Sequence, residues 1–91
     1  MPTITLHHCI PTTVLVFIPP KDITFSLSVG GTTGQGRVDV SAAANPPGPQ
    51  GSVLSNDAGD FVLTNCASVT LHYRKEEGEP STIEVNFSYV G

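Results

Sequence analysis

Two segments in the last third of the chain alternate strictly between apolar and polar residues. The apolar positions are Val69, Leu71 and Tyr73 in the first segment and Ile83, Val85, Phe87 and Tyr89 in the second. Successive residues of a strand point to opposite faces, so each segment presents one apolar and one polar face. The pattern predicts two half-buried strands of an antiparallel sheet, joined into a β-hairpin by the charged turn 75–80.

The hairpin has a specific register if its turn is centred on Gly78. Tyr73 then lies opposite Ile83 on the buried face, and His72 lies opposite Glu84 on the polar face. Directly opposed side chains have Cβ atoms ~4.5–5.5 Å apart. The register therefore predicts an exposed ion pair between His72 and Glu84.

The rest of the chain reads as further short strands separated by turns. Nine glycines and eight prolines supply the turns, and no stretch has apolar residues at helical spacing for long enough to form a helix. The extended segments are 3–10, 12–18, 23–29, 37–43, 52–55, 61–75 and 82–90. This pattern predicts an all-β chain: one antiparallel β-sandwich domain over residues 1–91, with about seven strands and Greek-key, immunoglobulin-like architecture. A small closed β-barrel is the alternative.

Charge excludes two classes of partner. The chain has four basic and eight acidic residues, for a net charge of −4, and no basic stripe. Nucleic-acid binding depends on neutralising phosphates, and anionic membranes attract basic clusters, so we expect neither partner. The most apolar stretch, residues 13–18, is too short to span a bilayer and lacks the flanks of a signal peptide. We therefore expect a chain that is cytoplasmic as synthesised and could be incorporated into a virion or a surface assembly.

The triplet His7-His8-Cys9 is the strongest metal-binding pattern, with Cys66 and His72 as further donors. Alternation along a strand would let His7 and Cys9 share an ion but would turn His8 to the other face. A calcium loop at 56–60 has too few regularly spaced carboxylates and reads better as a tight turn. We therefore predict no metal site and no cofactor.

Catalysis is not expected of this chain. A Cys9 or Cys66 thiol paired with a histidine is the sole hydrolase arrangement that its residues offer. Such a site also needs a pocket, an oxyanion hole and an orienting group, for which a small sandwich has little room. Without a secretory signal, both cysteines are predicted to be free thiols.

Surplus apolar residues in 12–18 indicate a protein interface. Leu15 and Phe17 alternate with Val14, Val16 and Ile18, so this strand is apolar on both faces. Exposed apolar patches usually mark a partner site, which makes Leu15 and Phe17 the candidate interface. The predicted function is a non-catalytic structural or assembly module that self-associates or docks on a protein, such as a virion decoration or tail component. The alternative is a monomeric domain that binds a protein or carbohydrate through loops 30–36 and 45–51.

Overall fold

The computed structural model describes residues 2–31 and 36–91, which form six β-strands. The strands are β1 (Thr3–His7), β2 (Thr12–Val29), β3 (Arg37–Ala43), β4 (Gly48–Leu54), β5 (Asp57–Arg74) and β6 (Thr82–Val90). All neighbours are antiparallel, and the strand order is β1-β6-β2-β5-β3-β4. No helix in these residues is long and apolar enough to cross a membrane.

Two long strands give the sheet its shape. β2 and β5 each have 18 residues and pair along most of their length, with register shifts near Val14, at residues 17–20 and near Asp22. Such bulges bend a strand and increase its twist. The sheet curls strongly, so that side chains from all six strands meet in one buried cluster, with Phe25 and Tyr73 among its largest members.

The predicted all-β class is confirmed, and the predicted two-sheet architecture is wrong. The six strands form one strongly curled open sheet, a half-barrel, rather than an immunoglobulin-like sandwich of about seven strands. Closure into a barrel is also not reached, because β1 and β4 are the two edges of the sheet. The strand count is lower because 12–18 and 23–29 are halves of β2, which continues through Pro19 and Pro20.

The predicted hairpin is wrong, although both of its strands exist. Residues 24–29 of β2 pair with β5 on one side and with β6 on the other, so β2 separates the two strands. His72 lies opposite Asp39 in the register and Glu84 lies opposite Thr5, so the predicted His72–Glu84 pair is not formed. β5 and β6 are both antiparallel to β2 and therefore run parallel to each other, an arrangement that a tight hairpin turn cannot join.

The predicted connections at 45–51 and 56–60 are shorter than expected. β4 begins at Gly48 and pairs with β3, which leaves residues 44–47 as the turn of a hairpin rather than a crossing between sheets. β5 begins at Asp57, so the predicted turn at 56–60 is mostly strand. Asn56 has a φ of 62°, a left-handed conformation that asparagine tolerates better than most residues.

Candidate functional site

The turn after β1 brings together three side chains that can bind a metal. β1 ends at His7, and His8 and Cys9 form a turn, so strand alternation does not separate them. One donor atom from each of the three residues lies within 4.8 Å of the others. The Cys9 thiol is 3.6 Å from Nε2 of His8, and the two imidazole rings stack with their centroids 4.8 Å apart. Strand alternation therefore does not keep His8 away from a site shared with His7 and Cys9.

Hydrogen bonds fix the backbone of this turn. The His8 N–H donates to the Ser81 carbonyl at 3.1 Å, and the Ile10 N–H donates to the His7 carbonyl at 3.0 Å. Nε2 of His72 lies 3.0 Å from the His8 carbonyl, which can only accept, so this nitrogen is the donor. The turn is therefore held between β5 and the segment that precedes β6.

The surroundings of the turn favour the uncharged form of His8. The pKa of His8 is lowered by desolvation first, and then by His7, Lys75 and His72. A lowered pKa favours the neutral ring, whose lone pair can accept a proton or bind a metal. The neutral form of His8 is thus available at physiological pH.

A row of apolar and small polar residues crosses the outer face of three strands. Thr24 of β2 lies between Val62 of β5 and Val90 of β6 in the register. Val62 is 80% exposed and Val90, the last residue of β6, is 75% exposed, so the row presents apolar surface to solvent. The next row, formed by Ser88, Ser26 and Asp60, is polar. We call the first row, Val62, Thr24 and Val90, the outer apolar row.

Leu15 and Phe17 are half-buried and pack against the core cluster. The Phe17 ring meets the Tyr89 ring edge to face at 5.0 Å, and the Lys21 ammonium lies 5.0 Å from the Phe17 ring centre. On the same strand, the exposed apolar residues are Val16 at 67% and Ile18 at 93%. The surplus apolar surface noted in 12–18 therefore lies mainly on Val16 and Ile18.

A shallow cleft of about 350 Å³ lies between the end of β2 and the start of β6. Gly30, Gly31, Glu79 and Glu84 are among the residues that line it. The predicted ligand loop 30–36 borders this cleft, and its residues 32–35 lie outside the described part of the chain. The other predicted loop begins beyond the far end of β3, about 20 Å away along a seven-residue strand.

The two cysteines occupy opposite environments. Cys9 is exposed in the β1 turn, and Cys66 is fully buried in the core; both are free thiols. Desolvation by burial raises the pKa of the Cys66 thiol, and a backbone hydrogen bond with Ser68 offsets only part of this rise. A buried, protonated thiol is a poor nucleophile, so Cys9 is the cysteine available for chemistry.

Asp39 is a charged centre on the outer face that sequence reasoning did not single out. Its carboxylate accepts hydrogen bonds from Arg37 and Arg74, each at 3.0 Å, and from the Ser52 hydroxyl at 2.7 Å. Partial burial acts to raise the pKa of Asp39, and the bonds from these three side chains outweigh it and lower the pKa. The alternation of apolar and polar residues could predict that Arg37, Asp39, Ser52 and Arg74 lie on the polar faces of their strands. It could not predict that β3 lies between β4 and β5.

We expect Asp39→Asn to destabilise the protein in a pH-dependent way. A carboxyl group whose pKa is lowered on folding stabilises the native state above its unfolded pKa of about 3.9. The stabilisation is lost as pH falls through the lower native pKa. Asp39→Asn should cost about 1 kcal/mol at pH 7, and the difference from wild type should shrink below about pH 4. Urea unfolding across this range measures it, with the exposed Asp60→Asn as control; an equal loss at all pH values would contradict the assignment.

No protein-family model matches the chain, and no curated protein has significant similarity to its sequence. The turn at residues 7–9 and the outer apolar row are the two features of the molecule that bear most on its function.

Proposed function

We propose that the protein is a non-catalytic structural module that self-associates through the outer face of β5, β2 and β6. The observation that supports this most is the exposure of Val62 and Val90 on either side of Thr24. Covering such side chains contributes about 25 cal/mol for each Å² of apolar surface removed from water.

The occupant that we propose is a second copy of the same chain. The chain carries a net charge of −4, so contact between two copies is favourable where carboxylates are few. The outer apolar row contains no charged residue, and the acidic turn 76–79 lies outside it. A stable contact buries about 800 Å² of each partner. Val62, Thr24 and Val90 would thus form its centre, with Ser88, Ser26 and Asp60 of the next row as a polar rim.

Lysine substitutions in the row should dissociate the assembly. In a two-fold contact both copies use the same surface, so each substitution is present twice. A lysine in the row therefore brings two like charges into a desolvated interface. Val62→Lys and Val90→Lys should each weaken self-association by more than ~100-fold, because burying an unpaired charge costs several kcal/mol. Light scattering over a range of concentrations gives the mass in solution.

Leu54→Lys is the matched control, since Leu54 is an exposed apolar residue on the edge strand β4. It should leave the mass unchanged. If Leu54→Lys dissociates the protein and Val62→Lys does not, the interface is the β4 edge and the proposal is wrong. A wild-type protein that is monomeric at every concentration also contradicts it.

Two further interpretations stay predictions. Incorporation into a virion or a surface assembly is suggested by the small size and acidity of the chain. Binding of a protein or carbohydrate through 30–36 and 45–51 would require a ligand extended along β3, because Gly36 and Ala44 flank opposite ends of that strand.

A further inference from the structure

We propose that His7, His8 and Cys9 form a metal site that binds a zinc ion through two imidazole nitrogens and the Cys9 thiolate. The site is separate from the outer apolar row and does not depend on the proposed self-association. Three consecutive residues can act together here because β1 ends at the first of them.

The separations of the donor atoms suit a tetrahedral ion. With Zn–S of about 2.3 Å and Zn–N of about 2.0 Å, the ligand atoms of a tetrahedral site lie about 3.3–3.6 Å apart. The thiol of Cys9 is 3.6 Å from Nε2 of His8, and all three donors lie within 4.8 Å. The upper limit of 4.8 Å exceeds the tetrahedral range, so binding also requires the side chains of the turn to move closer together.

Two contacts of the metal-free turn must change when an ion binds. The Cys9 N–H donates to Nδ1 of His7 at 3.1 Å, so this ring presents its proton on Nε2. Binding at either nitrogen of His7 displaces that hydrogen bond or shifts the proton. The stacked rings of His7 and His8 must also turn, because their in-plane lone pairs do not converge. These changes involve side chains. The hydrogen bond from the His8 N–H to the Ser81 carbonyl and the one from His72 to the His8 carbonyl can persist.

The donor set selects the class of metal. Thiolate and imidazole favour zinc and the other late first-row ions over magnesium and calcium, which prefer oxygen ligands. Three protein ligands leave the fourth position of a tetrahedral ion open. His72 contributes by holding the turn through the His8 carbonyl, since its Nε2 is engaged there.

Cobalt and zinc titrations of the reduced full chain test the site. Co²⁺ should produce a thiolate-to-cobalt charge-transfer band at one ion per chain, and added Zn²⁺ should displace it. Cys9→Ser should abolish the band and weaken zinc binding, measured by calorimetry, by ~100-fold or more, since loss of second-shell partners alone costs ~10–100-fold. His8→Ala should weaken zinc binding similarly.

Cys66→Ser is the matched control, because Cys66 is the buried thiol. It should retain the band and the affinity, and circular dichroism should show that every variant is folded. The proposal is overturned if wild type gives neither band nor heat, if Cys9→Ser keeps the band, or if one ion binds per two chains. Light scattering of the metal-free protein reports self-association separately, so failure of one proposal leaves the other standing.

Discussion

Phe25→Ala should destabilise the protein more than any single change to its outer face. Phe25 is fully buried on the central strand β2, and its ring stacks on Phe87 with centroids 6.1 Å apart. Truncation of a buried phenylalanine costs about 3–5 kcal/mol, through lost apolar burial and the cavity left behind. Domains of this size are stable by about 5–15 kcal/mol, so the variant should lose a large fraction of its free energy of unfolding. Urea unfolding monitored by circular dichroism measures the loss.

Ser26→Ala is the control for this prediction, because Ser26 follows Phe25 directly and belongs to the outer face. It should change the free energy of unfolding by less than about 0.5 kcal/mol. Similar losses for the two variants would mean that the inward and outward positions of β2 are assigned incorrectly.

Glu79→Ala should cause the second-largest loss among our predictions. The side chain of Glu79 is buried, and its carboxylate accepts the Gly36 N–H at 2.8 Å. Nearby, the hydroxyl of Tyr73 donates to the Pro80 carbonyl at 3.0 Å, which fixes the same segment to β5. Desolvation and the charge of Glu79 raise the pKa of Tyr73, so this hydroxyl stays a donor. Removing the carboxylate leaves a buried N–H without its acceptor and should cost about 1–3 kcal/mol.

Glu77→Ala is the matched control, since Glu77 belongs to the same connection and is exposed. Its free energy of unfolding should stay within about 0.5 kcal/mol of wild type. The Gly36 amide should also exchange with solvent faster in Glu79→Ala than in Glu77→Ala. Equal stability of the two variants would contradict the role assigned to the buried carboxylate.

The faces of the strands could be predicted from the sequence, and their partners could not. Val85 and Phe87 are buried as their alternation requires. Alternation states which side of a strand is apolar but not which strand lies beside it. Residues 75–81 have the composition of a hairpin turn, whereas in the structure β5 and β6 run parallel to each other with β2 between them.

The prolines at 19 and 20 misled the prediction for a different reason. Proline lacks a backbone N–H, which favours a turn or a strand edge over the middle of a paired strand. β2 nevertheless continues through them, because its pairing with β5 is interrupted between Val16 and Lys21. Within this interruption the prolines have no paired residue on β5, so their lack of an N–H costs no ladder hydrogen bond to that strand.

The metal-binding turn was half visible in the sequence. Three adjacent donors are evident, but strand alternation argues that His8 faces away from His7 and Cys9. In the structure β1 ends at His7, and His8 and Cys9 form a turn, so the side chains of these residues do not alternate between two faces. Pro11 is a nearby sequence signal for an interruption, but it does not fix the last residue of the strand.

Chemical-shift mapping over a range of protein concentrations tests the self-association claim most directly. Backbone amide resonances of Thr24, Val62 and Val90 should shift or broaden as the concentration rises, because these residues meet the second copy. Those of Ser41 and Ala43, on β3 in the other part of the sheet, should stay unchanged. Spectra that are the same at every concentration, or shifts confined to β3 and β4, would contradict association through the outer apolar row.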